Sequence, residues 1–185
     1  MSGLYFIALI PDEPVLGEVR ELKQYCKDHF DSGHALRSPA HVTLYPPFRT
    51  DEQGLRNCMD RLEQICQQQS PVTIELDGFD RFRPKVIFIR PQENEELNQL
   101  QQDVAAAMNA VLNPKKVDDR PFHPHMTIVF RDLKKGSFHA AWNHFKEMDY
   151  QRTWTATDLA VLINGEDGWS VLHKIKFASP IELLT

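Results

Sequence analysis

A chain of 185 residues, 42% hydrophobic and 25% charged, is long enough for one large domain or two small lobes around a real core, and its ordinary composition excludes disorder and low complexity. Its net charge of -5 and pI near 5.9 exclude a protein that coats long nucleic acid, which needs a broad basic surface. A small phosphate ligand stays open, because a few local donors suffice to hold it.

LYFIALIP, residues 4–11, is apolar but too short to span a bilayer and lacks a basic flank and a cleavage site, so it predicts a buried strand. From 13 to 30, Leu16, Val19, Leu22, Cys26 and Phe30 recur at helical spacing, with Pro14 in the first turn. Residues 41–45 predict a short strand closed by Pro46-Pro47. Asp51 can cap a second helix that carries Leu55, Cys58, Leu62 and Ile65 on one face. VTIELDGF and VIFIRP then read as two strands around an Arg-Phe-Arg-Pro-Lys connection.

The same order follows again. Asn94 can cap a helix that runs to about Leu112 on Leu97, Leu100, Val104, Met108 and Val111. HMTIVF reads as a strand, and residues 137–147 as a helix with Phe138, Trp142 and Phe145 as its apolar positions. TDLAVLIN and WSVLHKIKF are two strands joined by a Gly-Glu-Asp-Gly turn. Each half is thus helix, strand, helix, strand, strand. The pattern predicts a degenerate duplication within one 185-residue domain: two α+β lobes from residues 13–90 and 94–178, each with an antiparallel sheet and flanking helices. A pseudo-twofold axis would place the second element of each half, a strand, opposite its counterpart across a central cleft.

Those facing strands carry the same short motif. His41-Val42-Thr43-Leu44 and His125-Met126-Thr127-Ile128 lie 84 residues apart. From 8 His and the eight Thr of the chain, two such strings arise by chance with a frequency of about 0.01, so the pair is treated as a signal. Alternation puts His41, Thr43 and Tyr45 on one face of a strand, and His125, Thr127 and Val129 on one face of the other. Two imidazoles across a groove can take a proton from a nucleophile and give one to a leaving oxygen. The two hydroxyls can donate to non-bridging phosphate oxygens.

A lone histidine on a strand is more often structural, and His29, His139 and His144 in helical segments read that way. His34 falls in a loop. His173 alternates with Val171 and Ile175 and fits either a bonded core position or a groove wall. A rival chemistry is a metallohydrolase. His123 and His125, at i and i+2 of a strand, could hold one ion if Asp118, Asp119 or His41 supplied a third ligand.

With both motifs, their spacing, the opening LYFIALIP and the Pro-Pro-Phe after the first motif, nearly the whole chain resembles the 2H phosphoesterase superfamily, in its 2'-5' RNA ligase-like (LigT-like) and 2',3'-cyclic phosphodiesterase branch. The resemblance implies a bilobal fold whose cleft holds His41, Thr43, His125 and Thr127 as catalytic residues. It implies metal-independent hydrolysis of 2',3'-cyclic phosphates, commonly leaving a 2'-phosphate, with no cofactor; some members join RNA ends through 2'-5' bonds. Such members often carry a basic residue close behind the second motif. Here Ile128, Val129 and Phe130 intervene before Arg131, which alternation still points to the His125 face.

Tyr5, Tyr45, Phe48 and Phe122 are the aromatic candidates for contact with a base, and Arg131 for phosphate. Arg81, Arg83 and Lys85, beside Phe82, could contact nucleic acid or simply be a solvated turn. The expected partner is a small cyclic nucleotide or an RNA terminus, with no membrane and no long duplex, bound by a monomer. A binding module for nucleotides or RNA ends without turnover is the alternative of a different class. Three Cys, an odd number without a CxxC pair, favour a reducing compartment and a cytoplasmic protein.

Overall fold

In the computed structural model, residues 2–82, 84–117 and 120–178 are described. The chain runs β1 (Gly3–Leu9), α1 (Val15–Phe30), a 3-10 turn (His34–Arg37), β2 (Val42–Thr50) and α2 (Glu52–Cys66), then β3 (Val72–Phe82) and β4 (Val86–Pro91). It continues through α3 (Glu95–Leu112), β5 (Met126–Val129), α4 (Lys135–Phe145), β6 (Gln151–Ala156), β7 (Asp158–Gly165) and β8 (Gly168–Lys176). The strands form two antiparallel four-stranded sheets, ordered β2-β1-β7-β8 and β5-β4-β3-β6. The α+β, two-sheet architecture with flanking helices is the one the sequence predicts.

The helices begin where their caps say. The Asp51 carboxylate accepts from the Gly54 N–H at 2.8 Å, and the Asn94 side chain accepts from the Leu97 N–H at 2.9 Å. The buried faces of α2 and α3 are Cys58, Leu62 and Cys66, and Leu97, Leu100, Val104 and Met108. These two helices pack on each other, with α3 also against β2, while α1 packs on β5 and touches α4. One continuous core results, and a second small cluster of Phe6, Ala8, Ile10, Ala160 and Leu162 lies on the other face of the first sheet.

The lobes do not coincide with residues 13–90 and 94–178. Each sheet takes two strands from each half, because β1 pairs with β7 (Ile7 opposite Val161) and β3 pairs with β6 (Ile74 opposite Trp154). The short β3–β4 connection keeps those two strands side by side and so carries the first half's last strands into the second sheet. In the two sheet orders β2 corresponds to β5 and β1 to β4. The repeating unit therefore starts one strand earlier than the helix at residue 13.

Two further differences have local causes. β2 runs on through Pro46-Pro47 to Thr50, because it is an edge strand whose missing N–H groups cost no ladder bond. β6 carries no apolar run: only Trp154 and Ala156 are buried among six residues, so its strand character comes from pairing with β3. Cys26, Cys58 and Cys66 are all free and buried. Among the described residues, no helix is long and apolar enough to cross a membrane.

Candidate active site

β2 and β5, the equivalent edge strands, each begin one residue after a histidine. His41 and His125 are anchored alike. The Nδ1–H of His41 donates to the Pro39 carbonyl at 2.8 Å, and that of His125 to the His123 carbonyl at 2.7 Å. A carbonyl can only accept, so Nδ1 carries the hydrogen in both rings and Nε2 keeps its lone pair. Each ring also packs on an aromatic of the adjoining strand. Phe6 of β1 is 4.9 Å from His41, and Phe88 of β4 is 5.5 Å from His125, whose other neighbour is Phe82 at 5.2 Å.

Both histidines and both threonines line one cleft of about 670 Å³. His34, Arg37 and Arg131 also line it, and among the described residues no Asp or Glu does. In a chain of net charge -5, this is a local concentration of donors suited to an anion. Burial holds both imidazoles below the usual histidine range, His41 down to about 4, with the carbonyl bonds opposing the shift in each case. Both rings are therefore mainly neutral at pH 7.

The side-chain alternation fails just after each threonine, in the same way. Ala8 pairs with Thr43 and Ile7 with Tyr45, so one extra residue, Leu44, bulges from β2. Phe88 pairs with Thr127 and Ile87 with Val129, so Ile128 bulges from β5. The bulges turn Tyr45 and Val129 away from the cleft into the core.

Of the residues expected to hold substrate, only Arg131 lines the cleft; Tyr45, Tyr5, Phe48 and Phe122 do not. Buried Tyr45 donates its hydroxyl to the Asn109 side chain at 2.8 Å. Tyr5 alternates with Leu4 and Phe6, which face the cleft, and so points to the opposite side, 5.9 Å from the Phe48 ring. Phe48 lies 5.7 Å from Tyr45 and, like Phe122, packs against the core. Tyr45→Phe should therefore cost about 1 kcal/mol of stability, the net worth of one buried hydrogen bond, and leave turnover unchanged, as chemical denaturation and an activity assay would show.

Arg131 reaches the cleft through a left-handed turn rather than by alternation. Its φ is 68°, and its guanidinium lies 5.0 Å over the Phe130 ring. Arg83, Asp118 and Asp119 fall outside the described residues. The Arg81 guanidinium stacks 4.4 Å over Trp142, and Phe82 backs the His123 and His125 rings, so both have structural occupations. His29 and His144 stack on Tyr25, and His173 is exposed on β8 opposite Val161. Among the described residues, no three of His, Cys, Asp and Glu converge with metal-binding geometry.

Sequence reasoning missed His34, Arg37, Phe130, Asn164 and Trp169 as cleft-lining residues. The 3-10 turn carries the first two, and a distant carboxylate places it. Asp132 accepts from the Ser32 hydroxyl at 2.7 Å and from the Gly33 and His34 N–H groups at 2.9 and 2.7 Å. At the other end Arg37 donates to the Glu166 carbonyl at 2.9 Å. Trp169 lies edge-on to Phe6 at 4.6 Å. Only the position of Arg37, four residues before His41, hinted at any of this.

The sequence profile of the 2'-5' RNA ligase superfamily matches residues 11–168. A Geobacillus kaustophilus protein that carries a provisional phosphoesterase name is 26% identical over 170 residues, spanning 90% of this chain and 92% of that one. The RNA 2',3'-cyclic phosphodiesterase of Bacillus subtilis is 32% identical over 94 residues, 48% of this chain and 50% of the relative. A Thermus thermophilus crystal structure shares the fold with a TM-score of 0.71 at 18% identity, covering 96% of this chain and 99% of its own. Escherichia coli LigT complexed with 3'-AMP does so with a TM-score of 0.70 at 17% identity and the same coverage. A profile match over most of the chain, on a fold that brings both His-x-Thr motifs to one cleft, places this protein in the 2'-5' RNA ligase superfamily.

Proposed function

We propose that this protein hydrolyses 2',3'-cyclic phosphates on nucleotides or RNA ends by metal-independent, two-histidine acid–base catalysis, leaving a 2'-phosphate. The observation that carries this reading is the matched pair of imidazoles in one cleft that no described carboxylate lines, each with Nδ1 tied to a carbonyl and Nε2 left for chemistry. The names of the relatives support it, as does the description of LigT bound to 3'-AMP and to NADP+.

Water attacks phosphorus in line with the 3' oxygen. One neutral imidazole takes the water proton as the new P–O bond forms. The other, as imidazolium, protonates the 3' oxygen as its bond to phosphorus breaks. Thr43 and Thr127 donate to the non-bridging oxygens, and Arg131 balances their charge. If a 5'-hydroxyl takes the place of water, the same steps join two RNA ends through a 2'-5' bond. Both histidines come from one chain, in keeping with action as a monomer.

The test is a turnover assay on a 2',3'-cyclic mononucleotide and a cyclic-phosphate RNA end, after exhaustive dialysis against a chelator and across pH 4 to 9. Turnover persists in this reading. In the free cleft both imidazoles titrate below the ordinary value of about 6.5, so the kcat/KM bell is centred on the acid side of it. A bound phosphate anion favours imidazolium, so the alkaline limb of kcat lies higher than that of kcat/KM. Activity that vanishes on chelation and returns with stoichiometric zinc overturns the mechanism and moves His123 into the site. Tight binding of cyclic nucleotide without turnover of any substrate reduces the protein to a binding module.

A further inference from the structure

The buried stripe of α1 contains one charged residue. Val15, Val19, Lys23 and Cys26 face inward, and Lys23 is 2% exposed. A buried ammonium needs a counter-charge or a full set of acceptors. No carboxylate among the described residues pairs with it; instead its Nζ donates to the Ser38 carbonyl at 2.9 Å and the Pro39 carbonyl at 3.1 Å. The Pro39 oxygen is the one that receives the Nδ1–H of His41. His125 has the same latch on the His123 carbonyl, but the one fully buried cation among the described residues, Lys23, sits on the His41 side. At this point the two halves of the site cease to be equivalent.

We propose that Lys23 is a positioning residue for His41: it fixes the Ser38–Pro39 backbone that orients the imidazole, and it makes His41 electrostatically unlike His125. The proposal rests on the reading of His41 as one member of the acid–base pair. Two physical effects act in the same direction. An ammonium on the Pro39 oxygen draws electron density from it, so the oxygen is a poorer acceptor for an imidazolium N–H. The ammonium charge also opposes a second positive charge on the ring. Among the described residues, the other charged or titratable groups that line the cleft with His41 are His34 and Arg37 on the 3-10 turn, His125 before β5, and Arg131 beyond β5; none is a carboxylate that could offset Lys23. Burial pushes the Lys23 ammonium down to about 8, so it is charged at neutral pH and loses its charge just above.

The experiment follows the histidine ring resonances by NMR from pH 3 to 10, without substrate, in the unaltered chain, Lys23→Met and Lys23→Arg. In the unaltered chain the His41 signals move at their own protonation and again, by less, as Lys23 deprotonates near 8. In Lys23→Met the His41 midpoint rises, the second inflection is gone and the His125 midpoint stays. Lys23→Arg brings the His41 midpoint back. In turnover, Lys23→Met lowers kcat about 10-fold, with KM within about twofold, as expected when a charge-assisted hydrogen bond that orients a reacting group is lost. An unchanged His41 midpoint in Lys23→Met overturns the proposal and leaves Lys23 a strut, whatever happens to thermal stability. Should that variant not fold, the inflection in the unaltered chain decides alone: its presence supports the coupling and its absence overturns it. Because the titration needs no turnover, it still reports if the protein proves inactive on every cyclic phosphate.

Discussion

His41→Ala or His125→Ala should lower kcat on a 2',3'-cyclic phosphate by about 10²- to 10⁴-fold, equivalent to roughly 3 to 5 kcal/mol of barrier. Each imidazole is expected to supply one proton transfer; the other described polar residues lining the cleft are hydroxyls, guanidinium groups, the Asn164 amide and His34, which stands on the turn outside the two motifs. The double variant should lose less than the product of the two single losses, because acid and base work in one step and neither is of use alone. Steady-state kinetics on freshly folded variants decides this. Near-normal turnover in either single variant would remove that histidine from the chemistry. His→Gln at the same positions is the sharper control: an amide can still bond the carbonyl two residues back, so a comparable loss shows that proton transfer, rather than loop order, is what disappears.

Gly168→Ala should be the most damaging single-atom change near the cleft. Gly168 has φ 123°, where side chains are strained, and an added Cβ would lie 2.3 Å from the Arg37 carbonyl oxygen and 2.9 Å from the Arg37 Cβ. Both neighbours belong to the turn that forms one wall of the site, so relief requires that wall to move. The loss should be about 2 to 4 kcal/mol, or a fall in Tm of roughly 5 to 12 °C for a chain of this length, with KM raised because Arg37 shifts. Gly136→Ala in α4 is the matched control. A Cβ there meets nothing within 4 Å, and helix propensity favours the change by up to about 1 kcal/mol. Calorimetry on the two variants should give shifts of opposite sign; equal shifts would mean that the turn adjusts freely.

How much of this was legible depended on the range of the signal. Caps and helical stripes act within a few residues, and Asp51, Asn94 and the faces of α2 and α3 stand where local spacing puts them. That the two motifs share a cleft was legible because His41 and Thr43, like His125 and Thr127, lie before the bulge on their strand, where alternation holds. Tyr45 lies after it, and nothing in LYPPF announces that an extra residue turns that ring inward. Lys23 shows the limit from the other side. A charge at a buried helical position reads as the exposed face until the Ser38 and Pro39 carbonyls that hold it are known. Arg37 and Trp169 became neighbours of the two histidines only through pairings 98 to 129 residues long, such as Asp132 with the 33–34 backbone and Arg37 with Glu166.

The exchange of strands between halves sets the order in which the molecule can become itself during synthesis. β1 is made long before β7, yet β7 is one of its two neighbours, with Tyr5 opposite Ile163. At translation rates of about 5–20 residues per second, β1 and β2 wait on the order of 10 s for that partner. Meanwhile the apolar run from Phe6 to Ile10 has only half of its sheet and is exposed to wrong partners. β3 and β4 can pair at once, but their edges wait for β5 and β6. A chain cut between residues 91 and 94 would therefore yield two fragments with unfinished sheets rather than two working lobes. The first His-x-Thr strand is made more than a hundred residues before Asn164 and Trp169, which line the same cleft.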